Sequence, residues 1–157
     1  MLDDPALINL IVAHRLEAKP LITLFDLQPQ EDSQNVYVSD SGVRLIVTGM
    51  GCQNVEYSLA QWAETKPSAR RDMAWLNIGI AGHQSLAVGD TLIANKIISS
   101  PDNESVFPTP IIGGLRTSTV ITVGEPELNY PEDAAYDMEA FAFWRSAAAL
   151  GLLDLVQ

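Results

Sequence analysis

The sequence is poor in cysteine, histidine and basic residues. It has one cysteine, Cys52, and two histidines among 157 residues. A single cysteine excludes an intramolecular disulfide framework, and two isolated histidines lack the clustered ligand pattern of a structural zinc site. Nine basic residues stand against 20 acidic ones, for a net charge of −11. Nucleic acids and anionic membranes bind basic patches, so neither is expected as a partner.

Long apolar runs are also missing. No run reaches the length of a membrane span, and the first residues are acidic where a secretory signal would be basic. We therefore expect a cytoplasmic protein that neither spans nor coats a membrane. Residues 1–157 are enough for one domain that buries roughly two thirds of its unfolded surface. The sequence indicates neither a metal site nor a cofactor.

The hydrophobic pattern alternates between strand and helix periods. Residues 7–13 form an aliphatic run typical of a buried central strand, and residues 16–27 repeat apolar side chains at helical spacing, with Pro20 in the first turn. A hairpin is predicted over residues 35–39 and 43–48. The remaining patterns predict an amphipathic helix over 54–63, strands over 74–78, 91–98 and 118–123, a surface loop over 99–110 and a long helix from Pro131. This order predicts an α/β fold.

Two glycine loops follow predicted strands. One is Gly49-Met50-Gly51, and the other contains Gly79 and Gly82. Glycine lets backbone N–H groups approach a ligand closely, and loops at the carboxyl ends of strands are common ligand sites in α/β sheets. Each loop is either such a site or a tight connection.

Two glutamates are candidates for chemistry. Glu139 lies in a stretch that is apolar almost all round, where an unpaired carboxylate would be costly. It either binds a ligand with two hydroxyl groups, reaches solvent, or pairs with Arg15 or Arg145. Glu17 follows the first strand and is either functional or a surface group that compensates the helix dipole.

Three motifs in order, Gly49-Met50-Gly51, the run LNIGIAG over residues 76–82, and DMEA over residues 137–140, resemble the purine nucleoside phosphorylase and nucleosidase superfamily. The resemblance is strongest to 5′-methylthioadenosine/S-adenosylhomocysteine nucleosidase and futalosine hydrolase. It implies a three-layer sandwich in which helices flank a central mixed sheet.

The resemblance also implies roles for single residues. Met138 and Glu139 would hold the ribose, and Glu17 would orient the attacking water. Asn77 stands where phosphorylases place a phosphate-binding arginine, which favours water as nucleophile. The other implied substrate-binding residues are Gly49, Ile80, Ala81 and Gly82.

The sequence also departs from the family. His83 and Gln84 replace usual glycines, and Ile80 replaces a small or hydroxyl residue. The family's catalytic aspartate lies in a Ser-Asp pair on a strand after the Met-Glu helix, whereas this chain reaches Gln157 without it. We therefore expect a C-terminally short domain with impaired turnover. His83 is either a substitute acid or a solvent-facing loop residue.

The sequence thus predicts a nucleosidase-like protein that binds a purine nucleoside and hydrolyses its N-glycosidic bond. The alternative is a non-catalytic nucleoside-binding or scaffold module on the same fold. A flavodoxin-like regulatory domain fits less well, because no loop is long enough to cradle phosphate. Self-association into a homodimer or higher homo-oligomer is expected, either through the family's dimer interface or through an unpaired sheet edge.

Overall fold

A computed structural model describes residues 8–65, 73–152 and 156–157. The strands are β1 (Ile8–Val12), β2 (Gln28–Pro29), β3 (Val36–Val38), β4 (Val43–Val47), β5 (Ala74–Asn77), β6 (Leu92–Ser99), β7 (Glu104–Val106), β8 (Arg116–Thr122) and β9 (Ala135–Asp137). The helices are α1 (Arg15–Leu24), α2 (Cys52–Thr65) and α3 (Ala140–Ala149).

The first sheet has the strand order β2-β3-β4-β1-β5. Strand β1 lies between β4 and β5 and is parallel to both, while β3 pairs antiparallel with β4. The predicted central strand and the predicted hairpin are confirmed for the described residues. Because β1 has a strand on each side and helices over both faces, its aliphatic run is continuous rather than alternating.

Packing on the two faces of this sheet produces the three layers. Ile11 faces a cluster that includes Val55 of α2 and Phe143 of α3. Leu10 and Val12 point to the opposite face, where they pack with Ala18 of α1. Neighbouring side chains of a strand point to opposite faces, so one strand anchors both helical layers. The α/β fold with helices on either side of a mixed sheet is confirmed.

The second sheet has the order β7-β6-β8-β9. Strands β6, β8 and β9 are parallel, and β7 pairs antiparallel with β6. The prediction of a plain surface loop over residues 99–110 is wrong, because β7 lies within it. Prolines at 101, 108 and 110 flank this strand, and a proline cannot donate to a ladder, so the strand is short and lies at the edge.

The prediction of a long helix from Pro131 is wrong. Residues Ala135–Asp137 pair with β8 as strand β9, and α3 begins only at Ala140. Glu139 is therefore the N-cap residue of α3 rather than a residue beyond its first turn. Pairing with a neighbouring strand outweighed local helix preference here. Pro20 lies in the second turn of α1, not the first.

Residues 156–157 lie beside the edge of the first sheet. Val156 forms a parallel bridge with Trp75, and Gln157 exchanges backbone hydrogen bonds with Trp75 and Asn77. The Gln157 side chain donates to the carbonyl of Ala94 in β6, at 2.8 Å, and so links the two sheets. Single-domain organisation over 1–157 and self-association stay predictions. Among the helices that the structure describes, none has the length and apolar character needed to cross a membrane.

Candidate active site

Loops from both sheets meet around two adjoining cavities, of about 140 Å³ and about 210 Å³. The smaller, called the apolar cavity, is lined by Ala13, Asn77, Ile78, Gly79, Ile80, Ala81, Leu92, Ile93, Ala94, Ile97, Val120, Asp137, Glu139, Ala140, Phe143, Trp144 and Gln157. The larger, called the acidic cavity, is lined by Ala13, His14, Glu17, Met50, Ile80, Gly82, Val123, Pro126, Glu127, Tyr130, Tyr136, Asp137, Met138 and Glu139. The two share Ala13, Ile80, Asp137 and Glu139.

Glu17 is fixed by backbone donors from two segments. It is the third residue of α1, and its Oε2 accepts from the N–H groups of Ala13, at 3.0 Å, and His14, at 2.9 Å. This is a capping box, with His14 as N-cap. Its Oε1 accepts from the N–H of Ile80 at 3.1 Å. Glu17 therefore caps helix α1. Through the Ile80 N–H it also holds the glycine loop after β5 at the acidic cavity.

The glycine of that loop next to Glu17 has room for a Cβ atom. A Cβ atom on Gly79 would lie 3.4 Å from the Glu17 Oε1 atom, at ordinary van der Waals contact, so the contact with Glu17 does not by itself require glycine here. The loop brings its backbone to the carboxylate with nothing between them.

Glu139 is a half-buried carboxylate with one oxygen occupied. Its Oε1 accepts from the N–H of Gly51 at 2.6 Å, and in the part of the chain that the structure describes its Oε2 makes no hydrogen bond. The alternative of a pair with Arg145 is not realised, because Arg145 pairs with Glu56 at 2.6 Å. Burial raises the pKa of Glu139, and the charges of Asp137 and Glu17 raise it further, against the lowering effect of the backbone N–H groups of Gly51 and Met138.

Asp137 lines both cavities together with Glu139, and the sequence pattern did not single it out. Its Oδ1 accepts from the Thr122 hydroxyl at 2.6 Å, and its Oδ2 accepts from the N–H groups of Glu139, at 3.0 Å, and Ala140, at 2.6 Å. Burial raises the pKa of Asp137, while these three hydrogen bonds lower it. Both oxygens are used to hold the start of α3 and, with it, Glu139. An aspartate just before a helix is a recognisable cap signal, which the misplaced helix start concealed.

The candidate residues named by the resemblance fall into three groups. Glu17, Glu139, Met138, Ile80 and Gly82 line the acidic cavity, and Ile80 reaches the apolar cavity as well. Asn77 and Ala81 line the apolar cavity. Gly49 lines neither cavity. The structure thus brings seven of these eight residues to one cleft, and their individual roles stay predictions.

The backbone conformation at position 49 explains why this residue is glycine. Its φ of +92° lies in the left-handed region, and a Cβ atom there would be 3.2 Å from the Asn54 side chain. The glycine therefore allows the tight turn from β4 into α2. This turn places the Gly51 N–H within hydrogen-bonding distance of the Glu139 carboxylate.

His83 and Cys52 are not placed for chemistry in either cavity. The His83 side chain is 9% exposed, and its Nε2 faces Asp133 Oδ1 at 3.6 Å, away from both linings. The Cys52 thiol donates to the carbonyl of Met138, and burial raises its pKa, so it is not activated as a nucleophile. No group of three or more metal-ligating side chains occurs within residues 8–65, 73–152 and 156–157.

No protein-family model matches this chain, and no curated protein matches it. Solved structures do. The MTAN of Chlamydia trachomatis superimposes with a TM-score of 0.76 and 21% identity, covering 91% of this chain and 74% of that one. The MTA/SAH nucleosidase of Streptococcus pneumoniae, in complex with 8-aminoadenine, gives 0.75 and 22%, covering 95% and 82%.

A futalosine hydrolase mutant of Helicobacter pylori gives a TM-score of 0.72 at 13% identity, covering 95% of this chain and 86% of that one. At these identities the likeness establishes the fold. The chain has the fold of these nucleosidase and futalosine hydrolase structures, as the three motifs predicted.

Proposed function

We propose that this chain binds a purine nucleoside in the cleft formed by the two cavities and hydrolyses its N-glycosidic bond. One observation carries the proposal. Glu17, from the first turn of α1, and Glu139, from the start of α3, line the same cavity, and the charge of Glu17 acts on Glu139. Glu139 has a free oxygen for ribose hydroxyls, and Glu17 is held rigidly enough to position a water molecule.

The chemistry follows from these two positions. Glu139, supported by Met138, would accept hydrogen bonds from the ribose hydroxyls and hold the sugar. Glu17 would accept a proton from water as the water attacks the anomeric carbon and the C–N bond breaks; the electron pair of that bond leaves with the purine, which takes its proton from solvent. The developing sugar cation would be stabilised by nearby carboxylate charge. Solved structures with the same fold are nucleosidases and a futalosine hydrolase, which supports this class of reaction.

The second candidate is a nucleoside-binding module without turnover. It is favoured by the hydrogen bonding of Asp137, whose two oxygens accept three hydrogen bonds, so that this carboxylate is not free to protonate a leaving base. Purine release from a bound nucleoside separates the two functions: binding without release supports the module.

We expect any purine release to be independent of phosphate. Four carboxylates, Glu17, Glu127, Asp137 and Glu139, line the acidic cavity, and neither described lining contains lysine or arginine. Such a site repels phosphate and has nothing to bind it. Purine release from a panel of nucleosides, measured with and without phosphate, should give equal rates and free ribose. Formation of ribose 1-phosphate would identify a phosphorylase instead.

Nucleoside affinity is expected to fall in mildly acidic solution. Ribose hydroxyls donate to the ionised Glu139, so binding lowers its pKa, and affinity is full above the pKa of the free protein and is lost as the pH falls through it. Burial raises that pKa above the ordinary value of a glutamate side chain, so the loss should begin at a higher pH than for an exposed glutamate.

Dissociation constants measured by calorimetry across the pH range would test this. The Glu139→Gln variant is the control, because an amide does not titrate and its weaker affinity should depend less on pH. The same fall in both proteins would assign the titration to a group other than Glu139.

A further inference from the structure

Tyr130 packs against the glycine loop with no space between them. A Cβ atom built on Gly82 would lie 2.2 Å from Cε1, 2.4 Å from Cζ and 2.4 Å from Oη of Tyr130. The hydroxyl end of the ring therefore rests directly on the Gly82 backbone. Gly82 does not have a left-handed φ, so close approach of the tyrosine, rather than backbone conformation, is what requires glycine here.

The backbone at Gly82 is held in place by strand β9. Gly82 and Tyr136 exchange two backbone hydrogen bonds, of 2.9 and 2.8 Å, which tie the loop to β9 one residue before Asp137. The rings of Tyr130 and Tyr136 pack 5.7 Å apart. Tyr130 thus forms a wall of the acidic cavity that is fixed relative to the carboxylates around it.

Hydrogen-bond donors are scarce in this cavity. A purine presents ring nitrogens that accept hydrogen bonds, whereas carboxylates at neutral pH only accept. In the described lining three side chains carry donors: His14, which is exposed, Tyr136, which is buried and whose hydroxyl accepts from the Glu132 N–H at 3.1 Å but can still donate, and Tyr130. The Tyr130 hydroxyl makes no hydrogen bond to any residue in the ranges that the structure covers.

We propose that Tyr130 is a specificity-determining residue of this site, whose hydroxyl donates a hydrogen bond to N3 or N7 of the bound purine while its ring forms the wall beside the base. The proposal rests on the proposed nucleoside-binding function. A donor held at one position favours a base with an acceptor at that position, because a buried acceptor left unpaired is costly.

The test compares a purine nucleoside with its 7-deaza and 3-deaza analogues, each of which lacks one ring acceptor. Wild-type protein should bind one of the two analogues about five- to tenfold more weakly than the parent, the ratio expected for one neutral hydrogen bond. The Tyr130→Phe substitution should weaken binding of the parent nucleoside by the same factor and leave the affinity for that analogue unchanged. Tyr57→Phe is the matched control, since Tyr57 is exposed on α2 and pairs with Gln61.

A second arm tests the contact with Gly82. Gly82→Ala should displace the ring and weaken nucleoside binding, whereas in a Tyr130→Ala background the same substitution should have no further effect. If the losses of affinity from the two substitutions add, Gly82 and Tyr130 do not act through their contact. If Tyr130→Phe lowers the affinity for the parent and for both analogues equally, or lowers none of them, the proposed hydrogen bond is wrong. Failure of wild-type protein to bind any of these nucleosides would instead refute the proposed function.

Discussion

Glu17→Gln should lower the rate of purine release by at least about a hundredfold, the usual loss when a positioned general base is removed. A glutamine carbonyl can still accept from the N–H groups of Ala13 and His14, so the helix cap is largely kept. Its amide group cannot take up the proton of the attacking water. The loss should therefore appear in kcat, with little change in the affinity for nucleoside.

The measurement is a steady-state rate of purine release together with a dissociation constant for the same nucleoside. Glu31→Gln is the matched control, because Glu31 is exposed and lies outside both cavities. Its rate should equal that of the wild-type protein. A Glu17→Gln protein that retains the full rate would remove Glu17 from the mechanism, and one that loses affinity alone would make it a binding residue.

Glu139→Gln should weaken nucleoside binding by roughly 1.5 to 3 kcal/mol, the scale of a hydrogen bond to a charged group. The free purine should bind almost as before, because it lacks the ribose hydroxyls. Glutamine has the same shape, and its carbonyl can still accept from the Gly51 N–H, so the start of α3 should stay in place. The substitution thus removes charge at the free oxygen and little else.

Calorimetric titration of nucleoside and free base into both proteins would check this. Glu125→Gln serves as control, since Glu125 is exposed in the loop after β8 and lines neither cavity. Equal losses for nucleoside and free base would contradict a ribose-binding role and point to a general disturbance of the cleft.

The apolar runs determined much of the fold. The central strand, the hairpin before Gly49 and helix α2 lie where the pattern placed them, within a few residues. Their local signals are strong because each buries side chains with the period of its own element, two for a strand and 3.6 for a helix. The ordered glycine and Met-Glu motifs then predicted the correct superfamily fold.

The secondary structure around Glu139 depends on tertiary contacts. Residues 131–139 have the composition of a helix start, yet Ala135–Asp137 pairs with β8 and Asp137 caps the helix that follows. Strand pairing joins residues far apart in the chain, so no local period reveals it. The edge strand β7 was missed for the same reason.

The sequence by itself determined that Glu17 follows a strand at a helix start and that Glu139 belongs to a Met-Glu pair. Only the tertiary structure decided that the two line one cavity, that Gly51 occupies one oxygen of Glu139, and that Tyr130 rests on Gly82. The contact of Gly51 with Glu139 joins residues 88 positions apart, and that of Gly82 with Tyr130 joins residues 48 positions apart. Hydrogen bonds and close packing depend on distances of a few ångströms that residue order alone does not contain.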